Sequence, residues 1–139
     1  MKYATAFLTL AAILAASVSS APLKTRDVDP SLIPSLGFTA GKNPTGTGDC
    51  DGSVNGPNGQ PIKIPCSCPP PQDQFNQAFN ANINAGHAIN NPGIAVSCTA
   101  GDTRACLNAA TVTLQNLHGP GVGCPQAATT FGAQAAALG

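Results

Sequence analysis

The chain has 139 residues, with six Lys and Arg against six acids, and its charged residues make up only 9% of the total. Every acid is an aspartate, and past residue 20 the bases are Lys24, Arg26, Lys42, Lys63 and Arg104. Such a balance offers no basic face, which excludes a nucleic-acid binder or a protein drawn to anionic membranes.

In chain order, Met1 to Ser20 reads as a secretory signal peptide. Lys2 is followed by an apolar run from Ala11 to Ala16 and then by small residues, Ser17-Val18-Ser19-Ser20. The run is too short for a membrane anchor. Cleavage is expected after Ser20, because a cut after Ala21 would leave Pro22 beside the scissile bond. The expected location is therefore secreted and extracellular. Residues 21–48 are rich in Pro, Gly, Thr and Ser and read as an extended, flexible segment, with a possible propeptide junction after Arg26. Asn43-Pro44-Thr45 has proline in the slot that forbids N-glycosylation.

The disulfide-stapled domain is expected over 49–139. Its first part, to about Pro71, is turn-rich: Asp51-Gly52, Asn55-Gly56 and Asn58-Gly59 follow one another closely. Ile62-Lys63-Ile64 alternates like a short strand, the return arm of a hairpin turned at Asn58-Gly59. Pro69-Pro70-Pro71 then makes a stiff connector. From Gln72 to Ile89 the period becomes helical, with Phe75, Ala78, Phe79, Asn82, Ile83 and Gly86 on one stripe and Asp73 at the start. Asn90-Asn91-Pro92-Gly93 stops this helix. Ile94-Ala95-Val96 is too brief to assign. A second helix is capped at Gly101-Asp102 and runs to Leu117, with Cys106, Leu107, Ala110, Leu114 and Leu117 on its buried face. A third and weaker one runs from about Pro125 to Leu138, carrying Ala128, Phe131, Ala135 and Leu138. The fold class expected is mainly α: three helices behind an irregular N-terminal half, with minor β content.

Six cysteines, Cys50, Cys66, Cys68, Cys98, Cys106 and Cys124, follow an export signal and so read as disulfides. A bridge between Cys66 and Cys68 would be strained. Cys98 and Cys106 flank a short turn and suit a local bridge at the entry of the second helix. For the other four the favoured pairing is Cys50 with Cys66 and Cys68 with Cys124, with exchange of those partners left open.

Catalytic and metal chemistry find little support in the residues. Cys66-Ser67-Cys68 with His87 and His118 matches no zinc spacing. Asp49 to Asn55 faintly resembles a calcium loop but lacks the closing Glu, so it reads as turns beside a disulfide. His87 and His118 each stand near a helix C-terminus, where free carbonyls favour an imidazolium. There is no Gly-x-Ser-x-Gly elbow and no unpaired Cys for a nucleophile. The aspartates sit in turns or at helix starts, where capping explains them. No cofactor, no metal and no catalytic residue is expected.

Several blocks together resemble a group of small secreted proteins of filamentous fungi. They are Asn43 to Gly52, Pro61 to Pro70, Asn82 to Pro92 (NINAGHAINNP) and Ala109 to Phe131 (AATVTLQNLHGPGVGCPQAATTF). The resemblance implies a non-enzymatic, cysteine-rich protein of the type sensed by plants as a molecular pattern, provoking cell death and immune responses. It implies an elicitor or effector whose partner is a plant cell-surface immune receptor. The chain departs from the group between Val96 and Cys106, where typical members are apolar and lack cysteine. Cys98–Cys106 is thus an added pair. Two other readings stand beside it: a structural or polysaccharide-binding cell-wall protein, and a small hydrolase dependent on His87 or His118.

Overall fold

The structure is a computed structural model and describes residues 27–139. The signal peptide, its cleavage site and the junction after Arg26 lie outside the described residues. In order the chain forms a 3-10 turn (Pro30–Leu32), β1 (Asp49–Asn55), β2 (Pro61–Pro65), α1 (Gln72–Ala85), β3 (His87–Ala88) and β4 (Asn91–Ala95). Then follow α2 (Thr103–Gln115), a 3-10 turn (Pro125–Ala128) and α3 (Thr129–Ala137). Helices take 38% of the described residues and strands 19%, so the fold is mixed α/β and the mainly-α expectation is corrected.

β2 covers the expected strand Ile62-Lys63-Ile64. β1 and β4 come from segments that read as turns, and β3 from the expected end of the first helix. β1 pairs antiparallel with β2, Cys50 opposite Ile64 and Asp51 opposite Lys63, with a bulge between Asp51 and Asn55. Inside that bulge a Cβ on Gly52 would stand 2.8 Å from the Ile62 carbonyl oxygen. Gly52 is therefore needed for close backbone approach in a strand, and a turn motif was the wrong inference from it. β4 contains Pro92 and Gly93, which read as a helix stop. They are accommodated because β3 and β4 pair only at His87–Ala95 and Ala88–Asn91, leaving the proline in the irregular stretch between.

α1 ends four residues before the expected Ile89. Gly86 adopts φ 75° as a left-handed cap and its N–H reaches the Ile83 carbonyl, so it leaves the buried stripe and turns the chain into β3. α2 starts where Asp102 accepts a hydrogen bond from the Ala105 N–H at 2.9 Å. The third helix is divided: Pro125 opens a 3-10 turn and the α-helix proper begins at Thr129. Leu138, the expected last residue of this helix, is its C-cap and is 50% exposed.

Phe75, Phe79 and Phe131 form the centre of the core, with ring centroids 5.9 Å apart for the first two and 5.6 Å for Phe75 and Phe131. Ile64, Leu107, Ala110 and Leu114 close around them. So does Leu36, only 2% exposed. Its N–H donates to Gln72 Oε1 at 2.8 Å and its carbonyl accepts from Thr130 Oγ1 at 3.1 Å. Val28 N–H donates to Asn80 Oδ1 at 2.9 Å. From Val28 to Leu36, then, the segment expected to be a flexible tail is a packed strap. The apolar residues there are few, but each is placed against the helices.

All six cysteines are bridged: Cys50–Cys66, Cys68–Cys124 and Cys98–Cys106. The first ties the hairpin across its own register. The second, with both cysteines buried, fastens the proline connector to the turn after α2. The third closes the loop entering α2. Among the described residues no helix is long and apolar enough to cross a membrane. Three disulfides and this fold fit an extracellular or secreted small protein.

Candidate functional site

The residues singled out for chemistry fall in different places. Asp49 to Asn55 is strand β1, not a loop wrapped round a cation. Asp51 pairs there with Lys63 Nζ and accepts from Asn43 Nδ2 at 2.9 Å. Hydrogen bonds from Lys63 and Asn43 hold its carboxyl below the usual range. Cys66 and Cys68 leave in different directions to separate partners. Among the described residues no group of three or more His, Cys, Asp or Glu converges. His87 lies in β3 directly after the cap of α1, and His118 follows the end of α2. His118 engages through its backbone, whose N–H donates to the Val122 carbonyl at 2.8 Å.

What the fold does assemble is a network of amides anchored on two buried asparagines, Asn82 and Asn116. Asn82, in the stripe that reads as apolar, is only 8% exposed and faces α2. Its Nδ2 donates to Thr113 Oγ1 at 3.0 Å, and its Oδ1 accepts from the Ile89 N–H at 2.9 Å. Thr113 Oγ1 in turn donates to the Ala109 carbonyl at 2.8 Å. Asn90 Nδ2 spends both protons on the Asn116 and Leu117 carbonyls, at 2.9 and 2.8 Å. Those are carbonyls that the end of α2 leaves without helical partners. Asn116 is 5% exposed and donates to the Val112 carbonyl at 2.8 Å. Its Oδ1 accepts from Asn91 Nδ2 at 3.1 Å and from the Gly121 N–H at 2.9 Å.

Asn82 thus ties the β3–β4 turn to α2, and Asn90, Asn91 and Asn116 latch the same turn to the loop over 116–123. The latter is braced internally by the Val122 N–H to the Gly119 carbonyl at 3.0 Å, and at its exit by the Cys124 N–H to the Leu114 carbonyl at 2.7 Å. On this framework stand Ile89, 50% exposed, and Val122, 56% exposed, two of the three large apolar side chains left to solvent among the described residues. Ordered loops carrying exposed apolar residues are the ordinary material of a protein-recognition surface. Sequence reasoning missed this site because Asn90 and Asn91 read as a helix stop and Asn82 as one position of a stripe. The available signal was the polar Asn82 among aromatic neighbours, seven residues before an Asn-Asn pair.

Removing the latch has a graded effect. Asn116→Ala leaves the Asn91 amide and the Gly121 N–H without their acceptor, and is expected to cost about 2–3 kcal/mol. Asn90→Ala removes two bonds at a more exposed position and is expected to cost about 1–2 kcal/mol. Urea unfolding of both variants checks the order.

Comparison of the chain with protein-family models, with curated proteins and with solved structures finds no match.

Proposed function

We propose that the protein is a secreted, non-catalytic fungal elicitor, read in the plant apoplast by a cell-surface immune receptor that responds with cell death and defence. The observation that carries this reading is the latched loop pair with Ile89 and Val122 presented on it. Two of the sequence blocks that resemble fungal secreted proteins, Asn82 to Pro92 and Ala109 to Phe131, meet at this surface. A receptor gains most from a surface whose ordering cost is met before binding, and here amides and disulfides meet it. The three bridges also suit persistence among extracellular proteases, because they restrict the opened states that proteases cut.

The double variant Ile89→Ser, Val122→Ser tests it. Both side chains are half exposed, so the melting temperature is expected to stay within a few degrees of the native value. Leaf cell death at matched dose is expected to fall by about tenfold or more, the scale of losing two apolar contacts at an interface. Undiminished cell death from a folded double variant would exclude this surface.

A further inference from the structure

Beside the latch, a cleft of about 170 Å3 opens between α1, α2 and the β3–β4 turn. We propose that it is a binding site for the acetamido group of an N-acetylated amino sugar, bordering the proposed receptor surface, since Ile89 lines the cleft as well. One wall is polar, with Asn82, Asn90 and Thr113; the other is apolar, with Ala78, Ala81 and Leu117.

The amides retain capacity that the fold leaves unused. Asn82 Nδ2 has two protons and spends one, on Thr113. Asn90 must direct its nitrogen at the Asn116 and Leu117 carbonyls, since an oxygen there would face two acceptors. Its Oδ1 therefore lies on the other side, and among the described residues it accepts no protein hydrogen bond. One spare donor and one spare acceptor match a secondary amide: the ligand carbonyl accepts from Asn82, and its N–H donates to Asn90. The acetyl methyl then rests on Ala78, Ala81 and Leu117, where its burial is favourable.

A sugar is favoured over an acetylated peptide by the surroundings. No charged side chain lines the cleft. Its lining includes the amides of Asn90 and Asn116, a group type that both donates and accepts and so suits ring hydroxyls. The cleft is shallow, so affinity for a single sugar unit is expected near about 1 mM, rising with oligomer length only if neighbouring units touch the rim.

The oxidised, full secreted protein, labelled with nitrogen-15, is titrated with di- and tri-N-acetylglucosamine and followed by NMR. Glucosamine oligomers, cello-oligosaccharides and an N-acetylated peptide serve as the comparison arms. The expected result is a saturable shift of the Asn82 and Asn90 side-chain amide signals with the acetylated sugars alone. Ala81→Leu fills the apolar wall while leaving the hydrogen bonds, Ile89 and Val122 in place. It is expected to weaken sugar binding by about tenfold or more with melting unchanged. Absence of shifts, equal shifts with the deacetylated sugars or with the peptide, or full binding by folded Ala81→Leu would each overturn the assignment. Because that variant keeps the loop tips, its cell-death activity reports on the receptor reading separately.

Discussion

Gly123→Ala is expected to abolish folding of the protein or to destabilise it by about 4 kcal/mol or more. A Cβ at this position would stand 2.1 Å from the Leu114 carbonyl oxygen and 3.0 Å from the Leu117 backbone nitrogen. Neither atom belongs to a flexible side chain; both are the backbone at the end of α2. Relief would push the 116–123 loop outward, breaking the 2.7 Å bond from the Cys124 N–H to Leu114 and misplacing Cys124 for its bridge to Cys68. Gly132→Ala is the control. Gly132 lies in α3 with nothing within 4 Å of its Cβ position, and there alanine should stabilise by up to about 1 kcal/mol. Secretion yield and thermal unfolding followed by circular dichroism read both. A Gly123→Ala protein that melts like the native one would mean that the loop does not pass this close to α2.

The second large effect separates the bridges. Cys68 and Cys124 are 56 residues apart, and Cys98 and Cys106 only 8. Loop closure in the unfolded chain then assigns about 4 kcal/mol to the first bridge and about 2.5 kcal/mol to the second. Packing widens the gap. Cys68 and Cys124 are both buried in the core cluster, whereas Cys98 is only half-buried beside it. Replacing Cys68 and Cys124 together by serine is therefore expected to lower the urea midpoint well below that of the Cys98→Ser, Cys106→Ser protein. The latter should stay folded and keep its cell-death activity, because its bridge lies away from the β3–β4 turn and the 116–123 loop. Equal midpoints for the two variants would show that the long bridge adds no more than the short one.

Sequence patterns revealed the helices more clearly than the strands, for reasons visible in particular residues. Phe75 and Phe79 on one stripe, and Leu107, Ala110 and Leu114 on another, announce amphipathic helices that pack as the spacing requires. Asp102 is a capping residue in both sequence and structure. β1 was hidden because Gly52 reads as a turn, yet its missing Cβ serves a bulge against Ile62. β4 was hidden because Pro92 and Gly93 argue against any strand, and only an irregular two-point ladder admits them. Leu36 shows another gap. A single apolar residue in a Pro- and Gly-rich segment has no period, so only the assembled core reveals that it fills a place between α1 and α3.

The recognition surface was less legible than the fold. Its residues are asparagines, whose value lies in partners 25 to 31 positions away: Asn82 with Thr113, Asn90 and Asn91 with Asn116. Local reading gives Asn a turn or a helix stop; Asn90 does stand in a turn, but the helix stops earlier, at Gly86, and Asn91 opens β4. Burial of Asn82 and Asn116 is what anchors the latch, since inside the protein each must be satisfied and each satisfied pair fixes a loop.

The central claim is that a plant reads the folded surface and not a peptide released from it. The most direct measurement infiltrates leaves with purified oxidised protein beside a matched sample that has been reduced, alkylated and shown to be unfolded. Cell death from the oxidised protein, and none from the alkylated chain at the same dose, is the expected result. Equal cell death from both, or none from the oxidised protein across several plant species, would contradict it.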